Sequence, residues 1–298
     1  MNSHHAHYCF DFDETITKIH YHKYLSNPDL ALARSESELK ARNLYLSDKI
    51  YSKADQNNDV TEDPSRIATI RNLTIALLKN PNTSVKNADE LAATFNSIIK
   101  NGDKISIVSY SYYPEAIHET LKFITGKMGL TGDPDKLVEK YFMIVSYIPE
   151  AQAVGTSGKE FQDIGDIKHA VGKSGHIKIA ADAWIKKESA EEKPQFSRFD
   201  RTILIDDDMV HRSNARNKKN NYIAIDVSAS PDAPPVYLTG KGGVMEYVKD
   251  PLKQPVSAAD KFRKPVRVSE KIFQDLPAPP EITTIANNTD GNSPKNKK

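Results

Sequence analysis

Two short apolar runs that end in acids restrict the fold of this chain more tightly than any other feature. Tyr8-Cys9-Phe10 runs into Asp11-Phe12-Asp13, and Ile203-Leu204-Ile205 runs into Asp206-Asp207-Asp208. Apolar runs of this kind suit buried strands, and in parallel α/β sheets ligands gather at the carboxyl ends of the strands. Asp11 and Asp13 stand two residues apart, so alternation can place both on one side with Phe12 turned away. Carboxylates that close repel unless a cation or a proton lies between them. Asp206, Asp207 and Asp208 are poor strand continuation. They make sense if they meet Asp11 and Asp13 around a hard cation, and oxygen ligands of this kind suit Mg²⁺.

The rest of the chain supplies the alternation that such a sheet needs. Strands are expected at Ile105–Val108, Tyr141–Tyr147, Arg201–Ile205 and Tyr222–Val227. Helical spacing marks 88–99, a helix opened by Pro114, a face through Ile177, Ala180, Ala181, Trp184 and Ile185, and a short helix over 243–249. Buried β-branched strands joined by helices predict an α/β fold, a Rossmann-like parallel sheet flanked by helices. The stretch between Ile16 and Asp103 is long for a plain connection. Its helical pieces, near 30–50 and 64–78, predict a small helical cap inserted over about residues 17–85, with His20, His22 and Tyr24 as candidates for its mouth. Ten of the 17 prolines lie beyond residue 227. That shift in composition divides the chain into a folded domain over 1–250 and a Pro/Asn/Lys-rich tail over 251–298. The tail is expected to be flexible and disordered, and free to dock a partner.

Charge and cysteine content exclude several classes. Lys+Arg number 41 against 40 Asp+Glu, so no basic field recommends a nucleic-acid partner. Cys9 is the sole cysteine, which excludes an internal disulfide framework and a cysteine zinc cluster. Thr15 rather than Arg stands six residues after it, which removes the Cys-x5-Arg phosphate loop, and Cys9 reads as a buried strand residue. No apolar run approaches the roughly 18 residues of a membrane span. No stretch at the start has signal-peptide character, and a cytoplasmic protein is the expectation. His4, His5 and His7 are expected in a frayed amino terminus. Gly240-Lys241-Gly242-Gly243 reads as a turn before a helix.

Two further edges complement the acids. Ile105-Ser106-Ile107-Val108 ends in Ser109 just before the helix at Pro114, where a hydroxyl and helix amides can receive phosphate oxygens. Lys173 stands at the start of the Trp184 helix and can reach in as a point charge. Lys168 and Lys178 lie in range too. Lys178 groups with Asp182 and Lys186 on the polar side of that helix, which favours Lys173.

These residues together resemble the haloacid dehalogenase-like (HAD) superfamily of phosphohydrolases. Its first motif, Asp-x-Asp-x-Thr after an apolar strand, is matched by Asp11, Asp13 and Thr15. Its second, an apolar strand ending in Ser or Thr, is matched by Ser109. A lysine follows, and then an apolar strand ending in paired acids, matched by Asp206 and Asp207. The motifs occur in the family's order and span residues 8–208. The resemblance implies Asp11 as a nucleophile forming an aspartyl-phosphate and Asp13 as the acid and base. It implies Ser109 and Lys173 as the groups that neutralise the phosphoryl group. Mg²⁺ would be held by Asp206 or its neighbour Asp207, by Asp11 and by the backbone carbonyl of Asp13. An acid at position 13 resembles phosphatases and phosphomutases rather than dehalogenases or ion pumps. Glu14 stands where small-metabolite members often have Gly; it reads either as a surface acid with no role or as a resemblance to the branch acting on phosphoproteins, which would imply a phosphotyrosine-like substrate. The alternatives are a metabolite or nucleotide phosphatase, and a binding protein that keeps the fold. A compact phosphatase domain with a polar tail also resembles bacterial effector phosphatases delivered into host cells.

Overall fold

A computed structural model describes residues 5–26, 64–111, 113–146, 172–191, 196–216, 222–228, 230–250 and 252–253. The chain divides after Pro255, and all the described residues belong to the first part. The elements run β1 (Ala6–Phe10), α1 (Tyr21–Ser26), α2 (Pro64–Lys79), α3 (Ala88–Lys100), β2 (Lys104–Val108), α4 (Pro114–Lys127), α5 (Pro134–Tyr141) and β3 (Phe142–Val145). They continue with α6 (Ser174–Ser189), β4 (Arg201–Asp206), α7 (Met209–Ala215), β5 (Ile223–Asp226), α8 (Val236–Thr239) and α9 (Val244–Lys249). The five strands form one parallel sheet in the order β3-β2-β1-β4-β5.

That order follows from the strands themselves. Every residue of β1 is buried, as are the last four of β2 and of β4, which only strands covered by helices on both faces can bear. Tyr8, Phe10, Ile105, Ile107, Ile203 and Ile205 face one apolar cluster with α3 and α4. Cys9, Val108, Leu204 and Ala224 face a smaller one with Ile177 and Ala180 of α6. The chain winds outward from β1 to β2 and β3, then crosses back to lay β4 against the other side of β1. The crevice between the carboxyl ends of β1 and β4 is therefore the switch point where α/β sheets place ligands.

Helix boundaries have local causes. Pro114 and Pro134 stand at the first positions of α4 and α5, where a missing N–H costs nothing. Asp133 caps α5 by accepting from the Asp135 amide at 2.9 Å. Gly243 precedes α9 because a Cβ there would lie 2.8 Å from the Val236 carbonyl oxygen. Val244, Tyr247 and Val248 of α9 are buried in the main cluster, so this helix docks on the body as its pattern predicts.

Two expectations need correction. His5 and His7 are buried rather than frayed. The His5 and Ala6 amides are held by the Asp200 and Asp103 carboxylates at 3.1 and 2.8 Å, and His7 stacks on Phe199. The sheet thus extends further back than the apolar run, with acids taking the orphan amides at its edge. Tyr141 closes α5 instead of opening a strand, and β3 begins at Phe142, the extended residue that ends the helix. Of the expected cap, Tyr21, Leu25, Ile70, Leu73 and Leu77 are buried in the same cluster as the sheet. The piece at 30–50, Tyr147 and the tail at 251–298, apart from 252–253, lie outside the described residues.

Candidate active site

The β1–β4 register pairs Phe10 with Ile205, and the Asp11 amide extends the ladder by donating to the Ile205 carbonyl at 2.8 Å. Asp11 and Asp206 therefore emerge side by side. Phe12 turns the other way, fully buried with its ring edge-on to Tyr21. Past it the chain curls, with the Ile16 and Thr17 amides both donating to the Phe12 carbonyl. The curl aims the Thr15 hydroxyl at Asp207, to which it donates at 2.9 Å, while the Asp207 amide lies 3.2 Å from the same hydroxyl oxygen. Thr15 thus ties the two acidic loops together.

Carboxylate oxygens of Asp11, Asp206 and Asp207 lie within 4.8 Å of one another. Lys173, buried, forms ion pairs with Asp11 and, at 3.2 Å, with Asp206. Lys178 instead points to solvent and pairs with Asp182 one turn along α6. Lys168 lies outside the described residues. Asp208 leaves the cluster: its side chain caps α7 by accepting from the Val210 amide at 2.8 Å. Asp13 also stands outside the trio, its carboxylate 3.3 Å from the His20 ring nitrogen and accepting from the His22 amide. Tyr24, a candidate for the mouth or for packing, is buried in the core. Ser109 is buried at the end of β2, where its amide donates to the Val145 carbonyl and its hydroxyl accepts from the Ser111 amide.

Burial sets the electrostatics. It pushes the Asp11 carboxyl well above its usual range; Lys173 opposes the shift, and Asp206 and Asp207 add to it. Burial raises Asp13 to about 7 against the pull of the His22 and Tyr21 amides. Burial alone would raise Asp206, but Lys173 and the His211 hydrogen bond outweigh it and hold this carboxyl below the usual value. Burial alone would lower Lys173, yet Asp11 and Asp206 keep its ammonium well above normal. The trio offers three carboxylates against the one charge of Lys173. A hard divalent cation fits that imbalance and that donor set.

Sequence reasoning missed three contributors. Tyr110 and His211 pack together beside Lys173 and Asp206. Lys86 is fully buried and donates to the carbonyls of Glu14, at 2.5 Å, and Ser228, at 2.7 Å. Glu14 has a φ of 59°, a left-handed conformation that non-glycine residues adopt at a cost. Lys86 locks that turn against the loop leaving β5. Hydrogen bonds from charged donors contribute about 1.5–3 kcal/mol each. Lys86→Met is accordingly expected to lower unfolding stability by roughly 3 kcal/mol, read as a drop in the urea midpoint. An unchanged midpoint would deny Lys86 this role. A signal in the sequence was hard to find, because a lone lysine before a helix is ordinarily solvated.

A hollow of about 640 Å³ opens at the opposite, amino edge of the sheet between Lys104, Lys140 and Trp184. Lys104 pairs with Glu188, Lys187 donates to the Glu139 carbonyl, and the Lys140 ammonium lies 5.0 Å from the centre of the Tyr141 ring. No described helix is long and apolar enough to cross a membrane. Comparison with known proteins returns no matching family model and no matching curated protein.

Proposed function

We propose that this chain is a Mg²⁺-dependent phosphate-monoester hydrolase with a HAD-type core that works through an aspartyl-phosphate. The observation that carries the reading is the meeting of Asp11, Asp206 and Asp207 with the buried Lys173 at the β1–β4 switch point, while Asp13 stands apart in its own surroundings. That division suits two carboxylates with two tasks.

In the first step an Asp11 carboxylate oxygen attacks phosphorus and the bond to the leaving oxygen breaks. The proton that the departing alkoxide needs comes from Asp13. In the second step a water attacks the phosphorus of the acyl-phosphate, gives its proton to Asp13 and releases inorganic phosphate with Asp11 restored. Lys173 neutralises charge on the phosphoryl oxygens, and Ser109 is the hydroxyl at the neighbouring strand end that can donate to them. Asp11, Asp206 and Asp207 would hold Mg²⁺, which supplies further charge neutralisation when bound.

The test is turnover of p-nitrophenyl phosphate with and without EDTA. Activity is expected to vanish in chelator and to return with Mg²⁺ better than with Ca²⁺, because Mg²⁺ accepts a compact octahedral set of oxygens and Ca²⁺ prefers more ligands at longer range. Full activity in excess chelator would defeat the metal assignment. A panel of phosphopeptides against sugar and nucleotide phosphates then decides the substrate class. Phosphotyrosine-like peptides come first, on the strength of Glu14 beside Asp13.

A further inference from the structure

Lys173 has to hold an ammonium, with its side chain 1% exposed, between Asp11 and Asp206. It does so from the first position outside α6, where it makes no side-chain capping bond. Its own carbonyl is held by the Ile177 amide at 2.9 Å, so the part of the backbone still to be fixed is the peptide that precedes it. Gly172 has a φ of +54°, and a Cβ there would lie 2.9 Å from Asn214 Cβ, so the chain packs against α7 at a point only glycine fits. The carbonyl of the same residue accepts a hydrogen bond from the Tyr110 hydroxyl.

Tyr110 is well placed to act as a strut. It directly follows Ser109 at the end of β2. Its ring meets that of His176, in the first turn of α6, edge-on at 4.7 Å, and lies 5.5 Å from His211. His211 in turn places Nδ1 3.1 Å from an Asp206 oxygen. One side chain thus touches the Ser109 loop, the Lys173 peptide and the ring that abuts Asp206.

We propose that Tyr110 is a positioning residue whose hydroxyl fixes the Gly172–Lys173 peptide and thereby sets the Lys173 ammonium against Asp11 and Asp206. The role rests on the phosphatase reading above. Without the hydroxyl the peptide can rotate about its flanking bonds and carry the lysine with it. A misplacement of about 1 Å in a preorganised site costs on the order of 100-fold in rate.

The test is a double-mutant cycle on p-nitrophenyl phosphate turnover in saturating Mg²⁺, using wild type, Tyr110→Phe, Lys173→Ala and the double variant. Phe keeps the ring contacts with His176 and His211 and removes only the donor. Tyr110→Phe is expected to lower kcat roughly 10- to 100-fold with KM within about twofold. In the Lys173→Ala background the same change is expected to cost nothing further, because the group it positions is gone. Tyr110→Phe with wild-type kcat, or equal losses in both backgrounds, would overturn the role while leaving the phosphatase reading intact. Absence of Mg²⁺-dependent turnover in the wild type would overturn both. Tyr110→Leu, which also lacks the donor, enters the same cycle if Tyr110→Phe does not yield folded protein, with the same outcomes deciding.

Discussion

Asp11→Asn is expected to abolish phosphate-ester hydrolysis and to leave the protein at least as stable as wild type. Asn keeps the shape of the side chain and its place at the end of β1 but offers no carboxylate oxygen to attack phosphorus. Removing the nucleophile of a covalent hydrolase costs on the order of 10⁴-fold or more. The stability side follows from what surrounds position 11. Its carboxylate is buried and lies close to those of Asp206 and Asp207. A buried charge repelled by two neighbours opposes folding, and a neutral amide relieves both the desolvation and the repulsion. Lys173 keeps Asp206 as a partner at 3.2 Å, so no cation is stranded. Turnover and thermal unfolding, measured in metal-free buffer on the same preparations, check the two halves separately. Wild-type turnover by Asp11→Asn would remove the nucleophile assignment. Lost turnover together with a large drop in stability would make Asp11 a structural residue instead.

The sheet was legible because its central strands have no polar alternation. Tyr8-Cys9-Phe10 and Ile203-Leu204-Ile205 can be satisfied only between two layers of helices, and the acids that follow mark where the layers open. Helical phase favoured Lys173 over Lys178 without deciding between them. Ile177, Ala180 and Trp184 are buried, and Lys178 and Asp182 fall on the exposed side of the same helix. What was not legible depends on contacts between distant segments. Lys86 reaches the carbonyls of Glu14 and Ser228, and Tyr110 reaches Gly172. Neither partner stands at a spacing that a sequence pattern can carry. His7 misled for a related reason: its hydrogen bond to Ser106 and its stacking on Phe199 make it a strand residue, though its side chain reads as polar. Asp208 looked like a third ligand because helix caps and metal ligands draw on the same residue type.

Lys173→Ala is expected to cut turnover by two or more orders of magnitude, since loss of one preorganised donor at a developing charge typically costs about 2.7–4 kcal/mol. Unlike Asp11→Asn, it is also expected to destabilise the fold. Its removal leaves Asp11 and Asp206 buried together without their cation, and breaking a buried pair in this way costs about 3–5 kcal/mol. Lys178→Ala provides the contrast. Its partner Asp182 is 58% exposed and its own side chain 57%, and a surface pair one helical turn apart contributes only about 0.3–0.5 kcal/mol. Magnesium separates the two variants further. With Lys173 gone, the acids are left with more uncompensated charge, so added Mg²⁺ is expected to raise the unfolding temperature of Lys173→Ala more than that of wild type or Lys178→Ala. A thermal-shift titration reads this without any dependence on catalysis. Equal Mg²⁺ shifts in all three proteins would place the cation away from Asp11 and Asp206. The reverse ranking of turnover would move the phosphate-facing lysine to position 178, against the geometry that buries Lys173 between two acids.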